Sequence, residues 1–290
     1  HAVRAVYLYC GMADLAAETR EAALVEAMER VWLNLTRRRM YITGGIGSSA
    51  RNEGFTEDYD LPNDTAYAET CAAVGLIMWN HRLMHLKDDS RFADLIEQVL
   101  YNAFLAGVSL DGKRFFYTNP LLSNGTHHRQ KWFECACCPP NIARLLASLG
   151  QYIYTQTEDG VAVQLYIQST AQLKMGNGTM VTIRQKTDYP WDGTIQLALA
   201  LAQPSEFTLR LRVPGWCRRY NLLVNGQPVT CKVERGYVKL KRRWVQDDLV
   251  ELNLAMPVEM MEAHPALWQN RGRVALQRGP LVYCLEDADH

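Results

Sequence analysis

No run in this chain approaches the ~18 or more consecutive apolar residues of a membrane span. No leader-like segment opens it either; it begins His1-Ala2-Val3-Arg4, which reads as the interior of a longer protein. There is no net charge, because 31 Lys plus Arg balance 31 Asp plus Glu. That balance speaks against nucleic acid or an anionic membrane as partner. It suits a neutral polysaccharide or small sugar, and it leaves a homodimer open. Internal repeats and low-complexity tracts are absent. What remains is an ordinary globular mix, 48% hydrophobic and 21% charged over 290 residues. That is enough for one large domain or two smaller ones.

The cysteines are not distributed as a disulfide framework, and a chain of this length does not need one. Eight are present, at 10, 71, 135, 137, 138, 217, 231 and 284. Three fall in the string Cys135-Ala136-Cys137-Cys138. Such clustering points to metal binding or catalysis in a reducing compartment, and so to the cytoplasm.

The two halves carry different periodicities. Up to about residue 156 the spacing is helical, with helices expected over Ala2–Ala16, Glu21–Leu35, Ala72–Leu86, Arg91–Val108 and Asn141–Tyr154. Ala72–Leu86 is apolar nearly all round and should be deeply buried. Pro139-Pro140 opens the last helix, where proline is tolerated. Two long loops, Tyr41–Asn63 and Ser109–Cys138, join helices and are where a site is expected. Period-two alternation then takes over, in Val161–Ile167, Thr179–Thr187, Thr194–Ala200, Phe207–Val213 and Tyr237–Leu240. Asp192-Gly193 and Asn225-Gly226 mark turns between short strands. This half reads as an antiparallel β-sandwich, with residues 259–290 as strands of a further sheet. Trp191, Trp216 and Trp244 are expected in its core.

Thiolates are soft ligands that suit zinc. Cys135, Cys137 and Cys138 offer three sulfurs, and Glu69 and Cys71 offer a carboxylate and a fourth sulfur. Cys137 and Cys138 are adjacent, and Glu69 and Cys71 are two apart. In a regular helix residues two apart do not share a face. The four can meet only on irregular backbone, so helices should begin after Cys71 and after Cys138. A vicinal disulfide, buried small hydrophobes and a purely structural zinc site stay open beside a catalytic one.

Four motifs occur in order: Tyr41-Ile42-Thr43-Gly44-Gly45-Ile46-Gly47-Ser48-Ser49, Arg51-Asn52-Glu53-Gly54-Phe55, Tyr67-Ala68-Glu69-Thr70-Cys71-Ala72 and Glu134-Cys135-Ala136-Cys137-Cys138-Pro139. They resemble the β-L-arabinofuranosidases of glycoside hydrolase family 127, and the resemblance runs to Arg278-Gly279-Pro280-Leu281-Val282-Tyr283. It implies an (α/α)6 barrel followed by β-sandwich domains. Residues 1–156 would be the C-terminal part of the barrel, 157–258 a β-sandwich, and 259–290 the start of a further one.

The same resemblance implies roles. Cys137 matches the nucleophile. Glu69, Cys71, Cys137 and Cys138 match ligands of Zn2+. Glu53 matches the general acid/base. His1 and Tyr117, with Cys135 alongside them, match residues lining the pocket for the terminal sugar. The implied activity is retaining, exo-acting release of terminal β-L-arabinofuranose from plant-type glycans such as arabinosylated hydroxyproline. A cation would keep Cys137 as thiolate at neutral pH.

Blander readings stand beside these. Glu53 could be a loop charge paired to Arg51, and Glu134 reads as one. His81 and His85 read as buried helix residues, and His127-His128 as surface. A carbohydrate-binding protein with structural zinc, or a glycosidase of this fold acting on another sugar, remains an alternative. A polysaccharide lyase would favour basic residues around a uronate, and the two loops carry no strong basic cluster.

Overall fold

The computed structural model describes residues 1–286 and 289. Its first half is helical. The helices are α1 (Ala2–Thr19), α2 (Ala22–Arg38), α3 (Thr70–Leu86), α4 (Arg91–Gln98) and α5 (Cys138–Ser148). α3 is central and packs against α1, α4 and α5. Ala72, Val74, Leu76, Ile77 and Trp79 are all buried, as its all-round apolarity predicts. Each such large apolar side chain stabilises by roughly 1.5–3 kcal/mol. Trp32 on α2 donates its indole N–H to Asn80 Oδ1 on α3 at 2.8 Å. Among the described residues no helix is long and apolar enough to cross a membrane.

The single helix expected over 91–108 is three pieces. α4 passes into a π-helical turn, Val99–Phe104, and then a short 3-10 turn, Leu105–Gly107. The side chain of Asn102 explains part of this. Its amide donates to Gln98 O at 2.7 Å and to Pro280 O at 2.9 Å, and its Oδ1 accepts Val282 N–H at 2.9 Å. The turn is shaped by a β segment distant in sequence, which no local periodicity reports.

The second half is a two-sheet sandwich. A five-stranded sheet has the order β1 (Tyr154–Thr157), β2 (Gly160–Val163), β6 (Ser205–Arg212), β10 (Tyr237–Trp244), β9 (Val233–Glu234). The facing sheet has the order β3 (Ser169–Lys174), β4 (Met180–Thr187), β5 (Thr194–Leu201), β11 (Leu249–Leu254), β7 (Tyr220–Val224), β8 (Gln227–Pro228). Alternate residues point inward, so Val181, Ile183, Ile195, Leu197 and Leu199 meet Val161, Leu209, Leu211 and Val238 in one core. One pairing departs from the all-antiparallel expectation: β2 runs parallel to β6. The strand expected over 161–167 stops at Val163, because Gln164 and Leu165 turn their N–H groups to Ile153 O. A third sheet holds β12 (Val258–Glu262), β13 (Val274–Arg278) and β14 (Leu281–Tyr283). The end of that range, residues 287, 288 and 290, lies outside the described residues.

The tryptophans divide. Trp244 is buried and Trp216 is half-buried, but Trp191 is 68% exposed. It lies in the turn at residues 189–191, its N–H donating to Asp188 O at 2.9 Å, rather than within a strand, so alternation does not direct it inward.

Candidate active site

The loop between α2 and α3 is anchored on the end of α4 and on the π turn. Gln98 Nε2 donates to Ile42 O at 2.6 Å, and Ala103 N–H donates to Thr43 O at 3.2 Å. Gly44 sits at φ +83°, and a Cβ there would lie 2.7 Å from Val99 Cγ2. Only glycine allows both the turn and the close approach. Further on, Ser49 and Gly54 exchange backbone hydrogen bonds of 3.1 Å, closing a turn that presents Glu53. Glu53 has φ +50°, and its carbonyl accepts Ala2 N–H at 2.9 Å. His1 Nε2 donates to Glu53 Oε2 at 2.8 Å. Glu53 is therefore partnered by His1, where the loop-charge reading paired it to Arg51.

Glu69 and Cys71 come together in an unexpected way. α3 begins at Thr70, before Cys71, so Cys71 lies in the first helical turn. The irregularity sits one residue earlier. Ala68 has φ +37°, and Glu69 is an extended N-cap at φ −60°, ψ 136°. An N-cap lies outside helical geometry, so its side chain escapes the helical spacing and swings beside Cys71. α5 likewise begins at Cys138, with Cys137 as its N-cap. Helix starts expected after Cys71 and after Cys138 are thus corrected to starts at Thr70 and at Cys138. Thr70 N–H donates to Tyr117 O at 2.9 Å, and Asn119 Nδ2 donates to Ala68 O at 2.8 Å. These bonds hold the 116–119 segment against the start of α3.

The ligand atoms of Glu69, Cys71, Cys137 and Cys138 all lie within 4.8 Å of one another. Cys71 Sγ is 3.4 Å from Cys138 Sγ, and Cys137 Sγ is 3.8 Å from Cys138 Sγ. Cys137 Sγ is 3.4 Å from Glu69 Oε1 and 3.2 Å from Tyr117 Oη. All eight cysteines are free thiols, which excludes the vicinal disulfide. Cys135 is exposed and lies outside this group; its carbonyl accepts Cys137 N–H at 3.1 Å.

The cluster fits a metal ion on three grounds. Glu69 is 3% exposed, and its Oε2 is buried with no hydrogen-bond partner. Buried carboxylate oxygens are normally satisfied, and a cation would satisfy this one. Secondly, metal–sulfur bonds of ~2.3 Å in a tetrahedron set the sulfurs about 3.8 Å apart, close to the separations here. Thirdly, without a cation the electrostatics run the wrong way for a nucleophile. Burial, with Cys71 and Glu69 nearby, pushes the Cys137 thiol up to about 12. Burial also raises Glu69. A bound cation inverts that logic and deprotonates coordinating thiols. The four residues can hold a metal ion, and the soft donor set is compatible with zinc.

A second grouping shares Glu69: its carboxylate, that of Glu53 and the His1 imidazole lie within 4.8 Å of one another. Glu53 thus borders the sulfur cluster. Tyr117 packs edge-on against Tyr67 at 6.3 Å and Phe133 at 5.5 Å. Tyr67 also lines an open cleft of about 700 Å³.

Among the described residues, the other histidines stay outside this constellation. His81 Nε2 is 3.2 Å from Gln151 O, while His85 is exposed rather than buried. His127 Nε2 bonds Thr118 O at 2.9 Å and its ring stacks on Phe116; His128 is exposed, and so is Glu134. Of two further residues beside the cluster, Tyr67 stands in a quoted motif without a role assigned to it, and Asn141 escapes a motif reading. Asn141 Nδ2 donates to Cys71 Sγ at 2.9 Å. Its signal is faint: it stands four residues after Cys137 in the opening turn of a helix.

The chain is similar to known proteins over its whole length. Residues 1–151 match the family description "Beta-L-arabinofuranosidase, GH127 catalytic domain", residues 160–256 the GH127 middle domain, and residues 258–290 the family's C-terminal domain. A non-reducing end β-L-arabinofuranosidase of Bifidobacterium longum subsp. longum is 41% identical over the whole chain, which covers 46% of that protein. A solved GH127 β-L-arabinofuranosidase from Geobacillus stearothermophilus is 50% identical at a TM-score of 0.95, over 99% of this chain and 47% of that one. Another solved GH127 β-arabinofuranosidase is 43% identical at a TM-score of 0.97, over 100% of this chain and 48% of that one. The chain thus spans about half the length of these relatives. With all three of its domain descriptions matched in order, the chain belongs to glycoside hydrolase family 127.

Proposed function

We propose that this protein is a retaining, exo-acting glycoside hydrolase that releases terminal β-L-arabinofuranose, with Cys137 as nucleophile and Glu53 as acid/base. The observation that carries this reading is the junction of two groups at Glu69: three thiols with a carboxylate on one side, and Glu53 with His1 on the other. Family membership supports the sugar. Helices α1–α5, within residues 1–156, would form the C-terminal part of an (α/α)6 barrel. Residues 157–258 would form a β-sandwich domain, and 259–290 the start of a further one.

Glu69, Cys71, Cys137 and Cys138 would hold Zn2+, whose contribution is a positive charge that keeps Cys137 as thiolate. The chain's own groups then account for the proton transfers. Cys137 Sγ attacks the anomeric carbon while the glycosidic C–O bond breaks. Glu53, protonated at that stage, gives its proton to the leaving oxygen. The resulting Glu53 carboxylate takes a proton from water, whose oxygen displaces the sulfur and regenerates the thiolate. Two displacements at one carbon return the original configuration. Tyr117, within reach of Cys137 Sγ, would bind a sugar hydroxyl, as aromatic hydroxyls at sugar sites do. His1 orients Glu53 through the 2.8 Å contact and would face the same sugar. Cys135 would line the pocket from its exposed position. A neutral plant-type oligosaccharide is the proposed substrate class. The free thiols support a reducing compartment such as the cytoplasm.

The test is release of nitrophenol from nitrophenyl β-L-arabinofuranoside by the full-length protein, with and without chelator and reductant. Cys137→Ser should abolish turnover with the fold retained. Wild-type protein that releases nothing under any condition refutes the substrate. Turnover indifferent to metal removal refutes the zinc role, and normal turnover by Cys137→Ser refutes the nucleophile.

A further inference from the structure

The three sulfurs of the cluster are not equivalent. Cys137 Sγ faces Tyr117 Oη and Glu69, and Cys138 Sγ faces Tyr117 O and Glu69. Among the described residues, Cys71 Sγ is the one of the three that receives an N–H donor, from Asn141 Nδ2 at 2.9 Å. An asparagine amide can be placed either way round, and its neighbours decide which. Here the other end of the amide accepts Arg144 Nη2 at 2.7 Å and faces Tyr7 Oη at 3.4 Å. A guanidinium has donors and no acceptor. A flipped amide would set N–H against N–H, so the orientation with NH2 on Cys71 is determined.

The arrangement is braced from two helices. Arg144 stands one turn beyond Asn141 on α5 and also donates to Tyr7 Oη of α1 at 2.6 Å. Arg144 is exposed, so its charge stays hydrated, while Cys71 is buried. Three thiolates and a carboxylate around a dication leave an excess of negative charge. An N–H donor on one sulfur, backed by a guanidinium, offsets part of that excess where it is applied.

We propose that Asn141 is a positioning residue of the metal site. Held by Arg144 and Tyr7, it would fix the Cys71 sulfur toward a bound ion, while Cys137, whose sulfur receives no N–H among the described residues, keeps its freedom to react. This inference rests on the zinc reading above. Partners that orient metal ligands typically change metal affinity by 10–100-fold when removed.

The test measures metal binding rather than turnover. Zn2+ affinity is read by competition with a chromophoric chelator. Co2+ loading is followed by its thiolate-to-metal charge-transfer absorption, with apo-protein melting as the fold control. Asn141→Leu, similar in shape without a donor, should bind Zn2+ about 10–100-fold more weakly. Its charge-transfer band should move to lower energy, because the sulfur regains electron density. Asn141→Asp should be weaker still. Arg144→Met should show a smaller loss that Arg144→Lys restores. A merely structural role would move the apo melting temperature and leave the band in place. An Asn141→Leu protein within twofold of wild type, with an unmoved band, overturns this inference alone. Wild-type protein that takes up neither ion overturns the zinc reading and this inference together.

Discussion

Replacing Arg212 by Met should be among the most damaging single changes outside the cluster. Arg212 lies at the end of β6, is 0% exposed, and reaches across to α4. Its Nη1 donates to Asp94 Oδ1 at 2.6 Å, its Nη2 to Glu97 Oε1, and its Nε to Gln164 O at 2.5 Å. Glu97, 1% exposed, also accepts Tyr189 Oη at 2.6 Å and Trp216 Nε1 at 3.1 Å. Methionine would fill much of the volume but leave a buried carboxylate without its cation. Breaking a buried pair from one side costs about 3–5 kcal/mol. A surface pair such as Arg38–Asp58, with Arg38 half exposed, should cost far less, because water screens it. Adding Glu97→Gln to Arg212→Met should recover much of the loss, because glutamine is neutral: its oxygen can accept from Trp216 Nε1 while its NH2 donates to Tyr189 Oη, which can turn to accept. Urea unfolding followed by far-UV circular dichroism gives all three free energies. A cost for Arg212→Met below about 1 kcal/mol, or no recovery in the double variant, would refute the reasoning. The consequence reaches the site, because α4 holds the Glu53 loop at Ile42 through Gln98 and continues into the π turn that holds it at Thr43.

Two further outcomes follow. Gly44→Ala forces a Cβ to 2.7 Å from Val99 Cγ2 at a left-handed φ and should cost about 2–4 kcal/mol. Gly112→Ala, also left-handed but with open space around it, should cost only about 1 kcal/mol; equal melting temperatures for the two would refute the packing account. His81 is lowered from its usual 6.5 to about 4, by burial first and then by His85. The folded state therefore binds that proton less well than the unfolded one. Its neutral form contributes fully above about pH 6.5, and stability is lost as pH falls toward 4, by at most about 3 kcal/mol. Melting curves across this range should fall less steeply for His81→Gln than for wild type, and identical slopes would refute the assignment.

The sequence by itself determined the two-part architecture, because its periodicity changes from helical to alternating near residue 157. It determined that most of α3 is deeply buried, because Ala72–Leu86 is apolar nearly all round. It also marked a candidate metal cluster, because three cysteines within four residues, with Glu69 and Cys71 elsewhere, offer soft ligands in two short segments. Local pattern could not reach groups whose partners are distant in the chain. The expected helix over 91–108 broke into a π turn because Asn102 is claimed by Pro280 and Val282. Trp191 lies exposed because a turn, not a strand, carries it. Only the tertiary structure decided how Glu69 and Cys71 can meet. The left-handed Ala68 and the extended N-cap free Glu69 from helical spacing, and α5 then delivers Cys137, Cys138 and Asn141 from some seventy residues away.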